Sequence, residues 1–368
     1  MQAGEDTMQR RSFLRKAGLG LVASAASVAA PAVHAGEPKV KWRMTSSFPK
    51  SLSILYGTAT LLSNRLREIT DGNFDIRVFP AGEIVPAMEA LDAVERGKVD
   101  MCHSCSYYYT GKNKAFAFGT SIPFGMNARQ MDSWIVEGGG QKLLDEFYAD
   151  WNVYSFLAGN TGAQMGGWFR NRLRSVDDLN GLKMRIAGLG GDVMQQLGVV
   201  PLQLPASALY SALDKGIIDA VEWIAPHDDE KLGFHKLARY YYAPGWWEPG
   251  PAVHFYVNRL QWNKLPKSYQ AAFRSAAREA HMYMYTHYNR RNPEALSRLL
   301  AEGVKLEIFP RDVMRQAYEA AMDLYATECQ KNAAWEKIYT EYSKYLKMIS
   351  AWFSISEYPF DRFVYSVR

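Results

Sequence analysis

Beyond a short leader, apolar and polar positions change period several times. Val40, Trp42 and Met44 alternate with polar neighbours, which predicts a strand ending at Thr45-Ser46-Ser47. Leu52, Leu55, Ala59, Leu62 and Leu66 then recur at helical spacing, and Thr70-Asp71-Gly72 ends that helix. Phe74, Ile76 and Val78 alternate again, and a helix over about 87–95 and a strand over 99–103 follow. Strand–helix–strand–helix–strand is the order of a sheet built with crossover connections. The same succession returns later. Strands are predicted at 153–157 and 165–169, and "LKMRIAG" (182–188) reads as a strand running into a Gly-rich turn. A short helix around 193–197, a strand over 199–202, a helix over 209–215 and a buried strand from Ile217 to Ile224 come next.

Two of these stretches share a phrase. "AVERGKVDM" (93–101) and "ALDKGIIDA" (212–220) align without a gap. In each, a helix ends in a basic residue and a glycine, then leads into a strand start that carries Asp. From Asn263 the pattern turns helical, over 269–284, 293–302 and 311–348. The last is long enough to brace the molecule or to pair with a second subunit. The class expected is α/β, with two similar lobes, a cleft between them and long C-terminal helices. Lobe I takes 36–159 with 249–310 returning to it, lobe II takes 160–248, and 311–368 form a C-terminal helical segment.

Composition changes this picture at one end. In "QRRSFLRKAGLGLVASAASVAAPAVHA", Arg10-Arg11 precede Phe13-Leu14 and a mildly apolar stretch, and Val33-His34-Ala35 offers a small-residue exit. This is the pattern of a twin-arginine export signal over 1–35, which places the mature chain in a periplasm. Outside it no run of about 20 apolar residues could span a membrane. With 368 residues, 48% of them hydrophobic, the chain can bury sizeable cores. Of the net +5, +2 sits in the leader (Arg10, Arg11, Arg15 and Lys16 against Glu5 and Asp6), leaving about +3. Those charges are dispersed, which argues against nucleic acid as a partner. Cys102 and Cys105 have redox-pair spacing, but the residues after them do not begin a helix that would lower a thiol pKa. Buried thiols, or one incidental disulfide, fit better.

Chemistry enters through charges in apolar runs. Arg185 lies between Met184 and Ile186, and a half-buried guanidinium calls for a planar anion, either a ligand carboxylate or a structural partner. Glu222 sits inside "IIDAVEWI", and Glu248 follows two tryptophans and precedes Pro249-Gly250. An unpaired buried carboxylate is costly. "NTGAQMGGWFRN" (160–171) adds amides and close-approach glycines. The cluster Asp228-Asp229-Glu230-Lys231, between Pro226 and Gly233, reads as a solvated loop. Two acids and an internal arginine can form an acid/base pair, a hard-cation site with oxygen ligands, or a self-satisfied ion network. No hydrolase, phosphate-loop, dinucleotide or zinc spacing accompanies them, so catalysis has little support.

The runs "SSFPKSL", "CHSCSYYYTGK", "GNTGAQMGGWFR", "GLKMRIAG", "EWIAPHDDEKLGF" and "YYYAPGWWEPGPAVHF" are similar to those of the solute receptors of tripartite ATP-independent periplasmic (TRAP) transporters. Within that group the chain most resembles the α-keto-acid, pyruvate-type receptors. The resemblance implies a two-lobed periplasmic-binding-protein-like fold, no catalytic step, and delivery of a small organic acid to membrane permease subunits. It implies that Arg185 pairs with the substrate carboxylate. A metal ion would be held by Gln164, Glu222, the carbonyl of Trp223, and Glu248. Asn160 and Tyr107 are further candidates for substrate contact, with Trp223 as a wall. Sodium is the ion implied, with calcium as the alternative that neutralises the site's charge. The ligand is expected to be a 2-oxo monocarboxylate, with lactate or another 2-hydroxy acid as the alternative and a metal-dependent enzyme as the more remote one. A homodimer through the C-terminal helix is also implied.

Overall fold

The computed structural model describes residues 37–368, so the export-signal expectation for 1–35 lies outside the described residues. The first β–α–β–α–β unit forms as its periodicity requires: β1 (Val40–Ser46), α1 (Ser53–Ile69), β2 (Phe74–Phe79), α2 (Ala90–Glu95) and β3 (Met101–Ser104). Two further helices, α3 (Ala128–Val136) and α4 (Gly140–Ala149), lead to β4 (Val153–Asn160). Asn127 and Gln130 cap α3 reciprocally, side chain to backbone. After the short β5 (Trp168–Phe169) comes a second unit: β6 (Lys183–Arg185), α5 (Gly188–Gln196), β7 (Val200–Leu202), α6 (Ala206–Asp214) and β8 (Ala220–Val221). Then follow α7 (Pro226–Leu232), β9 (Tyr240–Ala243), β10 (Ala252–Asn258), α8 (Arg259–Lys264), α9 (Lys267–Ala301), β11 (Lys305–Ile308), α10 (Arg311–Lys331) and α11 (Ala333–Val367).

Two sheets result, ordered β2-β1-β3-β10-β4 and β11-β9-β5-β8-β6-β7. In each, the first strand of a unit lies between the other two, all parallel, and an antiparallel strand adds beside the third. The repeated phrase is a repeated piece of geometry. Gly97 and Gly216 stop their helices at φ of 71° and 69°, the left-handed region where a Cβ is penalised. The Lys98 N–H donates to Ala93 O at 2.8 Å and the Ile217 N–H to Ala212 O at 2.9 Å. The Asp100 carboxylate accepts the Arg43 N–H at 2.7 Å, and Asp219 accepts the Lys183 N–H at 3.1 Å.

Several expectations change. The strand expected over Ile217–Ile224 pairs only at Ala220–Val221; Ile217 is exposed and the chain leaves the sheet at Glu222. The strand at 165–169 shrinks to two residues, and the turn after Ile186 is instead the start of α5. The C-terminal helix is interrupted at Asn332, whose side chain caps α11 by accepting the Trp335 N–H, and α11 runs on to Val367. α9 passes through Pro293, an exposed position, where the missing N–H leaves a carbonyl that water can reach. The largest correction is 228–231. It is α7, not a solvated loop, and Asp228 and Asp229 are buried in its first turn. Pro226 at the first helical position and acids just after it are a helix-start pattern. The three cysteines are free thiols, and burial pushes those of Cys102 and Cys105 up, away from the thiolate. Among the described residues no helix is long and apolar enough to cross a membrane.

Candidate functional site

Parallel neighbours end on the same edge of a sheet, and polar residues placed there face a common crevice. Arg185 is the last residue of β6, and Glu222 directly follows β8, its neighbour. The Glu222 N–H donates to Arg185 O at 3.0 Å. In return Arg185 Nη1 donates to Glu222 Oε2 at 2.9 Å and to the Glu222 carbonyl. The guanidinium carbon lies 4.8 Å from the centre of the Trp223 ring, a cation–π contact. Both charges are essentially shut off from solvent, at 1% and 0% exposure.

Two loops close around this pair. The segment 160–167 is tied to 223–224 by the Met165 N–H to Ile224 O (2.9 Å), and to 245–248 by the Gly245 N–H to Gln164 O (2.9 Å). Glycine is required at two points of this lacing. Gly167 has φ of 82° and a Cβ there would sit 2.6 Å from Val221 O; at Gly245 it would sit 2.7 Å from Gln164 O. The loops bring Gln164 and Glu248 to the ion pair, both buried. Tyr107 arrives from the turn after β3.

The electrostatics are lopsided. Burial, with Glu222 next to it, raises the Glu248 carboxyl well above its usual range; the Tyr107 hydroxyl and Gln164 amide oppose this without reaching hydrogen-bond geometry. Burial raises Glu222 to about 7 despite the opposing pull of Arg185. Glu222 Oε1, both carboxylate oxygens of Glu248 and Gln164 Oε1 have no hydrogen-bond partner, and neither has Arg185 Nη2. Orphaned buried acceptors cost free energy unless something meets them. Four oxygens of this kind, one on Glu222, one on Gln164 and two on Glu248, suit a hard cation. The unsatisfied Nη2 suits an anion. Among the described residues no three His, Cys, Asp or Glu side chains group at metal-holding distance, so a soft-ion site of the zinc type is not in view.

Asn160 differs from the rest: its Nδ2 donates to Gly250 O at 3.0 Å and its Oδ1 accepts the Gly162 N–H at 2.9 Å, so both ends of the amide hold the loop. The enclosed space beside the cluster is about 10 Å³, lined by Phe48, Leu55, Cys105, Tyr107, Gln164 and Trp223 among others, room for about one water. Residues that reading the chain overlooked are Asp229, Trp168 and Tyr241, which meet behind the Glu222 segment.

The chain matches the family model described as bacterial extracellular solute-binding protein, family 7, over residues 45–332. It is 46% identical over 98% of its length, and 100% of the relative's, to a monocarboxylate 2-oxoacid-binding periplasmic protein of Nostoc sp.. A TRAP transporter solute-binding protein of Bordetella bronchiseptica, a mixed-occupancy dimer with calcium and picolinate in one site, superposes with a TM-score of 0.88 at 46% identity, covering 90% of this chain and 98% of that one. One from Pseudoalteromonas atlantica with bound sodium and pyruvate gives 0.86 at 36% identity, covering 88% and 99%. These are substrate-binding receptors rather than enzymes. The chain belongs to the DctP family, the periplasmic solute-binding receptors of TRAP transporters.

Proposed function

We propose that this receptor captures a 2-oxo monocarboxylate of the pyruvate type together with a cation and delivers it to TRAP permease subunits. The observation that carries this reading is the buried Arg185–Glu222–Glu248 cluster, with one guanidinium nitrogen and several acid and amide oxygens unsatisfied. Arg185 Nη2 takes one carboxylate oxygen of the ligand. Glu222, Glu248, Gln164 and the Trp223 carbonyl would hold the cation, which would supply positive charge to the rest of the ligand's carboxylate and its keto group. Tyr107 and Trp223 exclude water, and Asn160 serves as a loop support. The Nostoc and Pseudoalteromonas relatives, named for or bound to 2-oxo acids, support the substrate class.

Two readings of the cation stand. Sodium accompanies pyruvate in the Pseudoalteromonas relative. Calcium accompanies picolinate in the Bordetella one, and it brings two carboxylates, one arginine and one ligand anion to neutrality. A space of about 10 Å³ is too small to admit a 2-oxo acid, so entry requires the walls to part. The walls are taken as lobe I (36–159 with 249–310) and lobe II (160–248). Residues 1–35 are proposed as the twin-arginine signal that exports the chain. The exposed Trp352, Phe360, Phe363 and Tyr365 of α11 favour a homodimer through 311–368.

Calorimetry on chelator-dialysed protein tests the reading. Pyruvate and longer 2-oxo acids are expected to bind with at least micromolar affinity, only when sodium or calcium is restored, while sedimentation of the same sample returns twice the chain mass. Tight binding of a dicarboxylate with none of a 2-oxo acid would falsify the substrate assignment, and product formation would reinstate the enzyme.

A further inference from the structure

Granting the cation site proposed above, we infer that Asp229 is the positioning residue that aims the Trp223 carbonyl at the cation. Asp229 is 1% exposed in the first turn of α7, yet none of its hydrogen bonds serves the surface. Its Oδ2 accepts the Trp168 Nε1–H at 2.9 Å and the Tyr241 hydroxyl at 2.8 Å. Those two rings stack with centroids 3.9 Å apart on the paired strands β5 and β9, a stiff platform in the second sheet. The other oxygen, Oδ1, accepts the Ile224 N–H at 3.3 Å.

That N–H belongs to the peptide group whose carbonyl is Trp223 O. A trans peptide is planar, with its C=O and N–H opposed, so fixing one direction fixes the other. Holding Ile224 N–H against Asp229 turns Trp223 O away from α7, and an acceptor on the N–H polarises the peptide toward its carbonyl oxygen. The next peptide is pinned as well: Ile224 O accepts the Met165 N–H at 2.9 Å, one residue from Gln164. The carbonyl and the amide side chain are therefore set in one frame. Asp228 is the nearest comparison. It is equally buried, but its bond runs to a different element, accepting the Tyr288 hydroxyl of α9 at 2.6 Å.

Asp229→Asn separates the roles. The amide oxygen can still accept from Trp168 and Tyr241, while its NH₂ meets the Ile224 N–H donor to donor. Partners behind metal ligands cost about 10–100-fold in affinity when removed. Titration of calcium chloride into chelator-dialysed protein with excess pyruvate is expected to show that rise in calcium Kd for D229N. Pyruvate affinity at saturating calcium should stay near that of the parent, and Tyr288→Phe should leave the calcium Kd unchanged. A D229N chain that folds and keeps the parent's calcium Kd within twofold overturns the role, as does an equal rise in Y288F. Should D229N not fold, Trp168→Phe, which removes one anchor and keeps the ring stack, is expected to raise the calcium Kd several-fold, and no rise overturns the role. A parent chain whose pyruvate binding ignores calcium and sodium removes the cation site itself, a different result from an intact cation dependence that Asp229 does not affect.

Discussion

At the end of the central strand of each β–α–β–α–β unit the chain places opposite chemistry on the same backbone. In the first sheet Thr45 of β1 lies beside Cys102, and His103 follows; in the second Arg185 of β6 lies beside Val221, and Glu222 follows. The first pair is neutral. Burial holds His103 down to about 3, and its ring packs against Phe48 and Phe255. The second pair is ionic, and each partner keeps an unsatisfied atom. Helix stops, parallel pairing and the aspartate bonds between strands are shared, and the two units differ in the chemistry carried at this matching position. On the proposed function, the second sheet supplies the anchor for the small anion and the first supplies no charge at the matching position.

The largest test removes the anchor. Arg185→Met in cation-free protein leaves Glu222 buried without its ion-pair partner, a loss of up to about 3–5 kcal/mol. Thr45→Val, at the equivalent position, removes a buried hydroxyl that has no partner and should cost less than about 1 kcal/mol or stabilise slightly. Adding Glu222→Gln to R185M should recover part of the loss. Urea unfolding reads all three, and near-equal costs for R185M and T45V would erase the contrast.

Titration sharpens the comparison because the two sheets should respond to pH with opposite signs. His103, and His254 on the adjacent β10, sit at about 3 and 4 when folded, below the unfolded histidine value, because burial penalises the charged ring. The unfolded chain therefore binds more protons, and stability is lost as pH falls below about 6.5, about 2 kcal/mol per histidine by pH 5. Glu222 is raised from 4.5 to about 7, so the folded chain binds the extra proton. In cation-free protein its contribution is present near pH 4.5 and is lost as pH rises through 7. His103→Gln should flatten the acid limb only; Glu222→Gln, or saturating calcium, should flatten the other. Unfolding midpoints between pH 5 and 8 that keep the parent slope in both variants would contradict this assignment.

What could be read along the chain divides in the same way. β1 to β3 were legible because each period holds for a full element, and the repeated phrase was legible because a glycine stop and a capping aspartate are local. Arg185, Glu222 and Glu248 stood out as ions in apolar runs. Asp229 did not, because an Asp-Asp-Glu-Lys string has the composition of a surface loop, and its partners Trp168 and Tyr241 lie 61 and 12 residues away. β11 is four residues long with Leu306 and Ile308 exposed, too short and too wet for alternation to mark it. Asn332 breaks a helical run through a side-chain cap, which composition alone does not separate from an ordinary helical position.

The smallest effect tests the shared frame itself. Asp100 and Asp219 each accept an N–H of the neighbouring parallel strand, from Arg43 within β1 and from Lys183 at the start of β6, and each aspartate's own N–H returns the bond, Asp100 to Arg43 O at 3.2 Å and Asp219 to Lys183 O at 2.7 Å. Both aspartates are partly exposed, so solvent replaces much of what a substitution removes. Asp100→Ala and Asp219→Ala should each cost about 1 kcal/mol, the usual size for one such hydrogen bond. The expectation lies in their equality. If the units are one frame with two fillings, the caps must cost alike where Arg185 and Thr45 do not. A difference of more than about 1 kcal/mol between the two variants, in the same urea assay, would mean that the frame is not shared and that the ionic pair depends on a locally different strand pairing.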